Sequence, residues 1–517
     1  MKRCVGCWPR LLVLCLGLAV AAQAAELTNW YTFNHEHVLG TSLELKFAAR
    51  SEPDARRAET AALAEIDRLA TILSGYDATS EFSRWIGTRN EPRPVSAELF
   101  EVLALFDQWR ERTDGALDAA AEVTGRLWKS AAQQQRVPTT GELAAAVAAV
   151  RQTHWRLDAE KRTATHLTDA PLRLNSFAKS YIIEHAATAA ATAGKLATTV
   201  VNLGGDLVVR GTGTETVALA DPLADGENDA PDTRVAVRDR AVATSGGYRR
   251  GVEIGGRWYS HLVDPRTGRP VNHVLSATVT APRATDAGAL ATALCVMTPE
   301  AGLKLAQSIP GAECRLLLND GRRLTSAGWT ELNVTPPAAL HSGVHAAATK
   351  SNDAAPSAGA AWDPAFELVV NFEIASADGG RAKRPFVAIW IEDKDAFPLR
   401  TLALWFHGPR WLPDLRSWYR GDQLRAMAEG SQITASVSSA TRAPGKYSVK
   451  WDGKDGHGAA VPAGKYAVVI EIAREHGSHQ LVRRELDFSG GAQHVDLPGN
   501  LELASASLDY RRKGNGR

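Results

Sequence analysis

The stretch VVNLGGDLVVRG, residues 200–211, consists of two apolar segments joined by a turn that contains Gly204 and Gly205. The β-branched valines favour strand structure on both sides of the turn. A glycine pair costs conformational entropy on folding, and it is useful where the backbone needs positive φ or where a ligand contacts the main chain. The stretch therefore predicts a β-hairpin whose turn meets one of these two needs.

The residues around this hairpin alternate between strand-like and helix-like segments from Glu26 to about Val334. Within them, residues 55–73 carry four apolar side chains at steps of three and four, namely Leu63, Ile66, Leu69 and Leu73. This spacing predicts one apolar face of a helix. We therefore predict a mixed α+β domain over residues 25–334.

The composition changes after this domain. Residues 335–361 are rich in Ala, Ser and Pro and have no apolar period, which predicts a disordered linker. Residues 362–500 alternate apolar and polar side chains at period two between turn residues, which predicts an all-β, sandwich-like domain. Residues 501–517 end in the basic sequence RRKGNGR and are predicted to form a tail.

Two features of the second domain have a structural interpretation. Trp390, Trp405 and Trp451 lie in strand-like segments and are predicted to belong to the core. The segment WDGKDGHGAAVPAGKY, residues 451–466, has closely spaced Asp and Gly residues but lacks the spacing and the terminal glutamate of a calcium loop. We therefore interpret it as hairpin turns.

The overall composition is that of an ordinary soluble protein. The chain has 517 residues, more than one core organises at the usual domain size of about 100–200 residues. Its 59 basic and 58 acidic residues nearly balance. This balance gives no electrostatic reason to expect a nucleic acid or an anionic membrane as partner.

The first 24 residues have the pattern of a secretory signal peptide. Lys2 and Arg3 precede the apolar run LLVLCLGLAVA, and Ala22-Gln23-Ala24 supplies small residues for cleavage near Ala24. An uncleaved membrane anchor is the alternative, although the run is shorter than the roughly 20 residues that a membrane span needs. We expect a cleaved leader.

The cysteines do not define a disulfide framework. Cys4, Cys7 and Cys15 lie in the predicted leader, so only Cys295 and Cys314 belong to the domains. These two residues form either a single disulfide or two free buried thiols. Stability is expected to come from packed cores.

Two more glycine-rich stretches follow the hairpin. They are ATSGGYRR, residues 243–250, and YSHLVDPRTGRPV, residues 259–271. His261 in the second stretch can exchange a proton near neutral pH, although a histidine considered alone is more often structural. The amides of a tight turn such as DPRTG can bind phosphate. Together the three stretches suggest a site built from main chain.

With these motifs in order, the sequence resembles the ApbE family, the FAD:protein FMN transferases of the bacterial periplasm. The resemblance covers about residues 36–332 and rests on LGTSLEL (39–45), LSGYDATSEFSR (73–84), DGALDAAAEVTGRLW (114–128), LNSFAKSY (174–181), VNLGGDLVVRG, VATSGGYRR and YSHLVDPRTGRPV. It implies an ApbE-like, T-fold-like α+β domain. It also implies that the second domain is the uncharacterised periplasmic β domain found with such transferases.

The resemblance implies a reaction and a set of partners. FAD is bound as substrate, a threonine or serine hydroxyl of a target flavoprotein attacks the FMN phosphorus, and AMP leaves. Mg²⁺ would bridge the pyrophosphate. The target is expected to be a periplasmic or membrane flavoprotein, with a membrane-bound redox complex and a docking role for the β domain as further hypotheses.

The resemblance also assigns residues to roles. His261 would accept the proton. The flavin nucleotide would be held by Leu39, Tyr76, Ala116, Leu117, Asp118, Lys179 and Leu262, with the glycine turns at Gly204, Gly205, Asp206, Ser245 and Gly246 closing main chain around it.

The metal site departs from the family pattern. The family has an aspartate four residues before a threonine on one helical face, whereas here Thr292 is preceded by Gly288. Asp286 lies about 120° from Thr292 around a helix, so it would help only if the helix starts later; otherwise it is a plain helix cap. Ser176 would supply a main-chain ligand. Arg173 stands where the family commonly has an aspartate, and it would offer charge to phosphate.

Two alternatives to transfer follow from these departures. The chain could be a catalytically weak FAD-binding or scaffold protein that lost its metal aspartate. It could also hydrolyse FAD slowly to FMN and AMP.

Overall fold

A computed structural model describes residues 28–334, apart from 225 and 249. It also describes residues 362–514, apart from 376–383, 407–408, 430–437, 440, 443 and 475–477. The predicted signal peptide, residues 1–24, and the predicted linker, residues 335–361, lie outside the described residues. Among the residues that it describes, no helix combines the length and the apolar character needed to cross a bilayer.

Residues 28–334 form a mixed α+β domain. Its strands are β1 (Asn29–Val38), β2 (Thr41–Ala49), β3 (Pro92–Pro94), β4 (Trp155–Asp158), β5 (Thr163–His166), β6 (Thr198–Leu203), β7 (Asp206–Gly211), β8 (Glu215–Leu219), β9 (Thr233–Val237), β10 (Ala241–Gly246), β11 (Gly251–Ile254), β12 (Arg257–Ser260), β13 (Val263–Asp264), β14 (Arg269–Pro270), β15 (Val274–Ala281), β16 (Glu313–Leu318) and β17 (Arg323–Thr325). Its helices are α1 (Glu52–Leu73), α2 (Glu81–Ile86), α3 (Ala97–Arg112), α4 (Glu122–Gln133), α5 (Thr140–Val150), α6 (Ala178–Gly194), α7 (Ala284–Val296), α8 (Pro299–Ser308) and α9 (Trp329–Leu332), with a 3₁₀ turn at Ala119–Ala121.

An eight-stranded antiparallel sheet forms the centre of this domain. Its strand order is β1-β2-β6-β7-β10-β15-β16-β17. Helices α6 and α7 cover one face, with α6 against β6 and β7 and α7 against β10 and β15. The opposite face packs a second cluster that includes Val200, Val209 and Trp329. The central strands therefore have apolar residues on both faces, as the continuous run TTVVNL requires.

The predicted helix over residues 55–73 is confirmed as α1, which begins three residues earlier. Ser51 caps its first turn by accepting from the Asp54 amide. The buried face contains Ala55, Ala58, Ala62, Ile66, Leu69 and Leu73, whereas Leu63 is only partly buried. Small residues let α1 lie close to α6: a Cβ on Gly194 would stand 2.8 Å from the Ala58 Cβ.

The hairpin predicted from VVNLGGDLVVRG is the β6–β7 pair, in register from Thr198–Gly211 to Leu203–Asp206. Both turn glycines have positive φ, +61° at Gly204 and +101° at Gly205, and Asn202 accepts from the Gly205 amide at 3.2 Å. Gly204 has a close neighbour, because a Cβ there would stand 2.5 Å from the Thr41 Oγ1. What the turn approaches is thus the adjacent β1–β2 turn.

This contact predicts that Gly204→Ala destabilises the domain by about 2–4 kcal/mol, from strained φ and the clash with Thr41. Gly205→Ala keeps the φ strain alone, since nothing lies within 4 Å of its Cβ. Thr41→Ala in the Gly204→Ala background should recover the steric part in a double-mutant cycle. Thermal unfolding of the wild type, the two glycine variants, Thr41→Ala and the double variant measures this, and equal costs for Gly204→Ala with and without Thr41 would contradict it.

The second part of the chain consists mostly of strands in two sheets. The strands are β18 (Phe366–Ile374), β19 (Phe386–Glu392), β20 (Pro398–Trp405), β21 (Ser438–Ser439), β22 (Gly445–Trp451), β23 (Lys465–Ala473), β24 (His479–Asp487), β25 (Gln493–Leu497) and β26 (Leu503–Arg512). One sheet has the order β22-β18-β26-β25, and the other has the order β21-β20-β19-β23-β24. Apolar side chains from both sheets form one cluster, so the predicted sandwich is confirmed.

The prediction of an entirely β domain needs a correction. A 3₁₀ helix (Pro409–Asp414) and helix α10 (Arg416–Glu429) lie among these strands. Strand β19 explains them: Phe386 and Trp390 point away from the sandwich core, and they are buried by Leu415 and Trp418 of the helical segment. A strand that is apolar on both faces needs a second cover.

The tryptophan prediction is confirmed, because Trp390, Trp405 and Trp451 are all buried. The segment 451–466 is only partly a hairpin. Asp455 accepts from the amides of His457 and Ala459, both at 2.9 Å, and this closes a tight turn. The strands on either side, β22 and β23, belong to different sheets, so the segment connects the two layers.

The predicted tail at residues 501–517 is wrong. Leu503–Arg512 form β26, which lies between β18 and β25. Leu503, Ala506, Leu508 and Tyr510 are buried, and the intervening polar side chains are largely solvent-facing. The period-two pattern of apolar side chains in LASASLDY predicts this strand, and the basic composition begins only after Tyr510.

The two parts of the chain contact each other beside β22. The Asn228 side chain donates to the Lys450 carbonyl and accepts from the Lys450 amide, both at 2.7 Å. The Glu227 amide donates to Ser448 O at 2.8 Å, and Lys450 Nζ pairs with Asp229 at 2.9 Å. Residues 227–229 thereby cover the edge of the four-stranded sheet, which would otherwise present unpaired backbone groups.

Candidate active site

Helix α7 brings two of the predicted metal ligands together. The Thr292 hydroxyl donates to Gly288 O at 3.2 Å, and it also lies 3.5 Å from the Ser176 carbonyl oxygen. Ser176 belongs to the loop that leads into α6, so two distant segments meet here. Both residues are partly exposed.

Asp286 could join the metal site only if helix α7 started after it, and this is not the case. Helix α7 begins at Ala284 with Arg283 as its N-cap, so Asp286 lies inside the first turn and is neither an N-cap nor a loop residue. Burial raises the pKa of the Asp286 carboxyl. The charges of Arg283 and Arg112 act to lower this pKa, and the charge of Glu184 acts to raise it. Asp286 and Thr292 therefore point about 120° apart around the helix, and Asp286 does not complete the site.

The space beside Gly288 is occupied by Ser180 of α6. A Cβ built on Gly288 would stand 2.3 Å from the Ser180 Oγ and 3.3 Å from the Phe177 Cβ. The Ser180 hydroxyl in turn donates to Asp206 Oδ2 at 3.4 Å. Gly288 is therefore part of a close packing between α6 and α7, which a larger side chain would disturb.

Asp206 starts β7 directly after the glycine turn. It is partly exposed, yet protein atoms surround its carboxyl, and this desolvation raises its pKa. The charge of nearby Lys179 and the Ser180 hydroxyl act in the opposite direction. Lys179, predicted to bind the nucleotide, precedes Ser180 at the start of α6, and its charge acts on Asp206.

These residues test whether the implied Mg²⁺ would fit. The Ser176 carbonyl and the Thr292 hydroxyl are oxygen donors of the kind that Mg²⁺ accepts, but Mg²⁺ sites usually add one or two carboxylates. Helix α7 offers no carboxylate beside Thr292. The described residues contain no cluster of three His, Cys, Asp or Glu side chains suited to a metal. The fit therefore depends on Asp206, whose carboxylate accepts a hydrogen bond from Ser180, the residue beside Gly288.

Tyr76 is placed by the loop before α6. Its hydroxyl accepts from the Asn175 Nδ2 at 2.8 Å, and the residue remains 77% exposed. The Arg173 guanidinium lies 4.9 Å from the ring centroid and donates to Gly75 O at 2.5 Å. Its Nε is 3.7 Å from a Glu122 carboxylate oxygen. Arg173 therefore orients the Tyr76 loop, and its role toward phosphate stays a prediction.

The segment Ala116–Asp118 is largely enclosed. Asp118 caps the 3₁₀ turn by accepting from the Ala120 amide at 2.7 Å, and it pairs with Arg110 at 2.8 Å. Burial raises the pKa of the Asp118 carboxyl despite these two partners. Ala116 packs against Ala293 of α7, the residue after Thr292. The segment thus lies next to Thr292, and the Asp118 carboxylate already has partners within the protein.

Leu39 lies in the β1–β2 turn, where its φ is +49° and that of Gly40 is +78°. Because Thr41 contacts the β6–β7 turn, Leu39 is close in the fold to Gly204 and Gly205. The left-handed backbone at a leucine is unusual and strained. The two turns form one edge of the site.

His261 follows β12 and lies at an exposed position. Its Nδ1 lies 3.1 Å from the Arg250 carbonyl, which accepts only, so Nδ1 carries the proton and Nε2 is the basic nitrogen. Desolvation by the surrounding protein lowers the pKa of His261, and the Arg250 charge lowers it further. The side chain is therefore neutral at pH 7, as a proton acceptor must be.

The turn around Gly247 holds this strand in place. A Cβ on Gly247 would stand 2.2 Å from the Ser260 Oγ and 3.9 Å from the Leu262 Cδ1. The Ser260 hydroxyl accepts from the Leu262 amide at 3.0 Å. The stretch SGG and the stretch YSHL are thus in direct contact. Leu262 lies at this contact, and Gly246 and Ser245 precede it by one and two residues.

The two cysteines of this domain are free and buried. The Cys295 thiol donates to Ser245 O at 3.4 Å, which links α7 to the SGG stretch. Burial raises the pKa of Cys295 to about 12 and that of Cys314 to about 11. The alternative of two free thiols is confirmed over that of a disulfide.

A cavity of about 290 Å³ lies beside strand β12. Its lining includes Trp128, Trp258, Tyr259, Arg257 and Arg269. The lining contains none of the predicted flavin or metal residues and reaches the site only through Ser260, which precedes His261. It therefore lies beside the candidate site.

The sequence interpretation missed three contributors, which are Ser180 beside Gly288, Asn175 on the Tyr76 hydroxyl, and Arg110 on Asp118. Ser180 and Asn175 stand inside the quoted stretch LNSFAKSY. Only the distance between α6 and α7 shows what Ser180 does. No spacing signal links Arg110 to Asp118.

Comparison with protein-family models gives two matches. Residues 39–316 match the ApbE family. Residues 367–505 match a domain described as a predicted periplasmic protein, DUF2271. The second match includes part of β26, in agreement with the structure.

Curated relatives share the first domain. An FAD:protein FMN transferase of Klebsiella pneumoniae is 29% identical over 301 residues, 56% of this chain and 85% of that protein. The FAD:protein FMN transferase of Escherichia coli K12 is 30% identical over 247 residues, 46% of this chain and 70% of that protein.

Solved structures share the fold. The ApbE protein from Thermotoga maritima aligns with a TM-score of 0.53 and 26% identity, over 59% of this chain and all of that one. The flavin transferase ApbE from Vibrio cholerae aligns with a TM-score of 0.50 and 23% identity, over 59% of this chain and 99% of that one. The second likeness concerns the fold alone.

Proposed function

Because this chain belongs to the ApbE family, we propose that it is an FAD:protein FMN transferase. It moves FMN from FAD to a threonine or serine hydroxyl of a target flavoprotein and releases AMP. The observation that carries this proposal is the convergence of the predicted segments on α7: Thr292 meets Ser176, Ala293 packs on Ala116, and Cys295 contacts Ser245.

The protein side chains divide the work of a phosphoryl transfer. His261 Nε2 accepts the hydroxyl proton of the acceptor as its oxygen bonds to the FMN phosphorus. The bond from that phosphorus to the bridging oxygen breaks, and AMP leaves with the electron pair. Lys179 supplies positive charge near the phosphates, and bound Mg²⁺ would neutralise pyrophosphate charge. Positioning and charge neutralisation provide most of the rate.

We also propose that the mature protein is periplasmic. Two observations support this: the description of the second domain's family and the signal-like pattern of residues 1–24. The domain limits proposed are 25–334 for the transferase and 362–514 for the β domain, with β26 included in the latter.

A second candidate function is FAD binding without transfer. Gly288 in place of the metal aspartate, with Ser180 in the adjoining space, favours it. In this case the protein would act as a scaffold, and its β domain would contact the partner.

One experiment separates these candidates. The chain is incubated with FAD, Mg²⁺ and an acceptor domain that carries the target threonine. Covalent fluorescent flavin on the acceptor, with an equal amount of AMP, is the expected result. FAD binding without transfer would support the scaffold, and AMP release without acceptor would indicate hydrolysis. Replacing the acceptor threonine by valine is the matched control.

A further inference from the structure

We propose that Asp206, at the start of β7, is the carboxylate ligand of the divalent cation in this chain, in place of a residue on α7. The assignment rests on the proposed function, because the cation is the one that would bridge the FAD pyrophosphate. Its oxygen partners are the Thr292 hydroxyl and the Ser176 carbonyl.

The first step is the geometry at Gly288. A side chain at this position would project toward Ser180, since its Cβ would be 2.3 Å from the Ser180 Oγ. Ser180 is itself 1% exposed and fixed between the two helices. The direction in which an α7 carboxylate would have pointed is therefore filled by a hydroxyl from α6.

The second step is what this hydroxyl contacts. Ser180 Oγ donates to Asp206 Oδ2 at 3.4 Å, so a carboxylate lies on the far side of the same space. Asp206 arrives from the sheet instead of the helix, and the β6–β7 turn fixes its start. Position 288 thus lacks a carboxylate, but the Asp206 carboxylate is hydrogen-bonded to Ser180, the residue that fills the space beside Gly288.

The third step is the chemistry of the set. One carboxylate, one hydroxyl and one carbonyl, completed by water and phosphate oxygens, is a donor set suited to Mg²⁺. Asp286 lies on another face of α7, and the Asp118 carboxylate is bound to Arg110. Lys179 precedes Ser180 in the first turn of α6, which places a positive charge on the same helix turn as this donor set.

The test measures Mn²⁺ binding by electron paramagnetic resonance, with FAD present and no acceptor. Asp206→Asn is expected to weaken Mn²⁺ binding at least about tenfold. Asp286→Asn, the same change at the rival carboxylate, is expected to leave it within about twofold. Unchanged affinity in Asp206→Asn, or a wild-type chain that binds no Mn²⁺ with FAD, would overturn the assignment.

A rescue variant uses the packing directly. Ser180→Gly with Gly288→Asp opens the space and returns a carboxylate to α7. In the Asp206→Asn background this pair should recover most of the lost Mn²⁺ affinity. No recovery, with FAD binding intact, would contradict the shared position of the two carboxylates.

A measurement on the wild-type chain covers the case in which Asp206→Asn does not fold. Anomalous diffraction from crystals with Mn²⁺ and FAD should place the ion about 2.0–2.3 Å from an Asp206 oxygen. An ion bound by Asp286, or by no protein carboxylate, would overturn the proposal. Mn²⁺ held by Asp206 without FMN transfer would instead refute the proposed function alone.

Discussion

His261→Ala is expected to slow FMN transfer about 100-fold to 10,000-fold while FAD still binds. A positioned general base contributes a factor of this size. The geometry supports the assignment, because the Arg250 carbonyl fixes the proton on Nδ1 and leaves Nε2 free to accept. The measurement is the single-turnover rate of covalent flavin formation on the acceptor, with FAD affinity determined separately by fluorescence.

His185→Ala provides the matched control. His185 is a partly exposed histidine of α6 whose Nδ1 lies 3.8 Å from Glu65, away from the site. Its replacement should leave transfer within about twofold of the wild type. A His261→Ala protein that transfers FMN at the wild-type rate would show that the acceptor hydroxyl needs no base from this residue.

The same assignment predicts a pH profile. His261 lies at an exposed position, but desolvation of its ring by the surrounding protein lowers its pKa below the ordinary value of 6.5. The basic, neutral form therefore predominates at pH 7 and above, and transfer should be flat there and fall as the pH drops through the lowered pKa. His261→Ala should lose this acid limb. An acid limb that persists in the variant would assign the titration to another group.

Glu471→Ala is expected to destabilise the β domain by about 3–5 kcal/mol. Glu471 is fully buried on β23 and accepts from the Ser417 and Trp418 amides, at 2.9 and 2.8 Å, in the first turn of α10. It also lies 2.6 Å from His479 Nε2. The alanine would leave the helix amides and His479 without this partner, and α10 covers the outer face of β19.

Denaturant unfolding followed by tryptophan fluorescence measures this loss, since Trp418 lies at the affected turn. Glu485→Ala on neighbouring β24 is the control: its carboxylate is 53% exposed and 3.8 Å from Lys465. That change should cost less than about 0.5 kcal/mol. A Glu471→Ala domain as stable as the control would mean that α10 does not depend on this carboxylate.

The two variants together test the docking hypothesis for the β domain. Glu471→Ala disrupts that domain within the full chain, whereas the transferase core has its own buried cluster. FMN transfer to a soluble acceptor domain should therefore continue. Loss of transfer to a full-length, membrane-bound acceptor alone would support docking, and equal transfer to both acceptors would remove the hypothesis.

Local sequence patterns determined the elements of this protein. The alternation in VVNLGGDLVVRG predicted the β6–β7 hairpin, and the apolar steps in residues 55–73 predicted α1, because both depend on side-chain period along one segment. The order of the glycine motifs was sufficient to place the chain in its family. The basic residues after Tyr510 gave a wrong tail, since composition there outweighed the alternation of β26.

Only the tertiary structure decided which residues surround Gly288 and which partner each carboxylate has. Gly288 marked a missing ligand in the sequence, but the 2.3 Å approach of Ser180 and its bond to Asp206 depend on how closely α6 and α7 pack. Asp118 and Arg173 likewise acquired internal partners, Arg110 and Gly75, that no spacing predicts. A helix period states which residues share a face, whereas the distance between two faces is set by all the side chains packed between them.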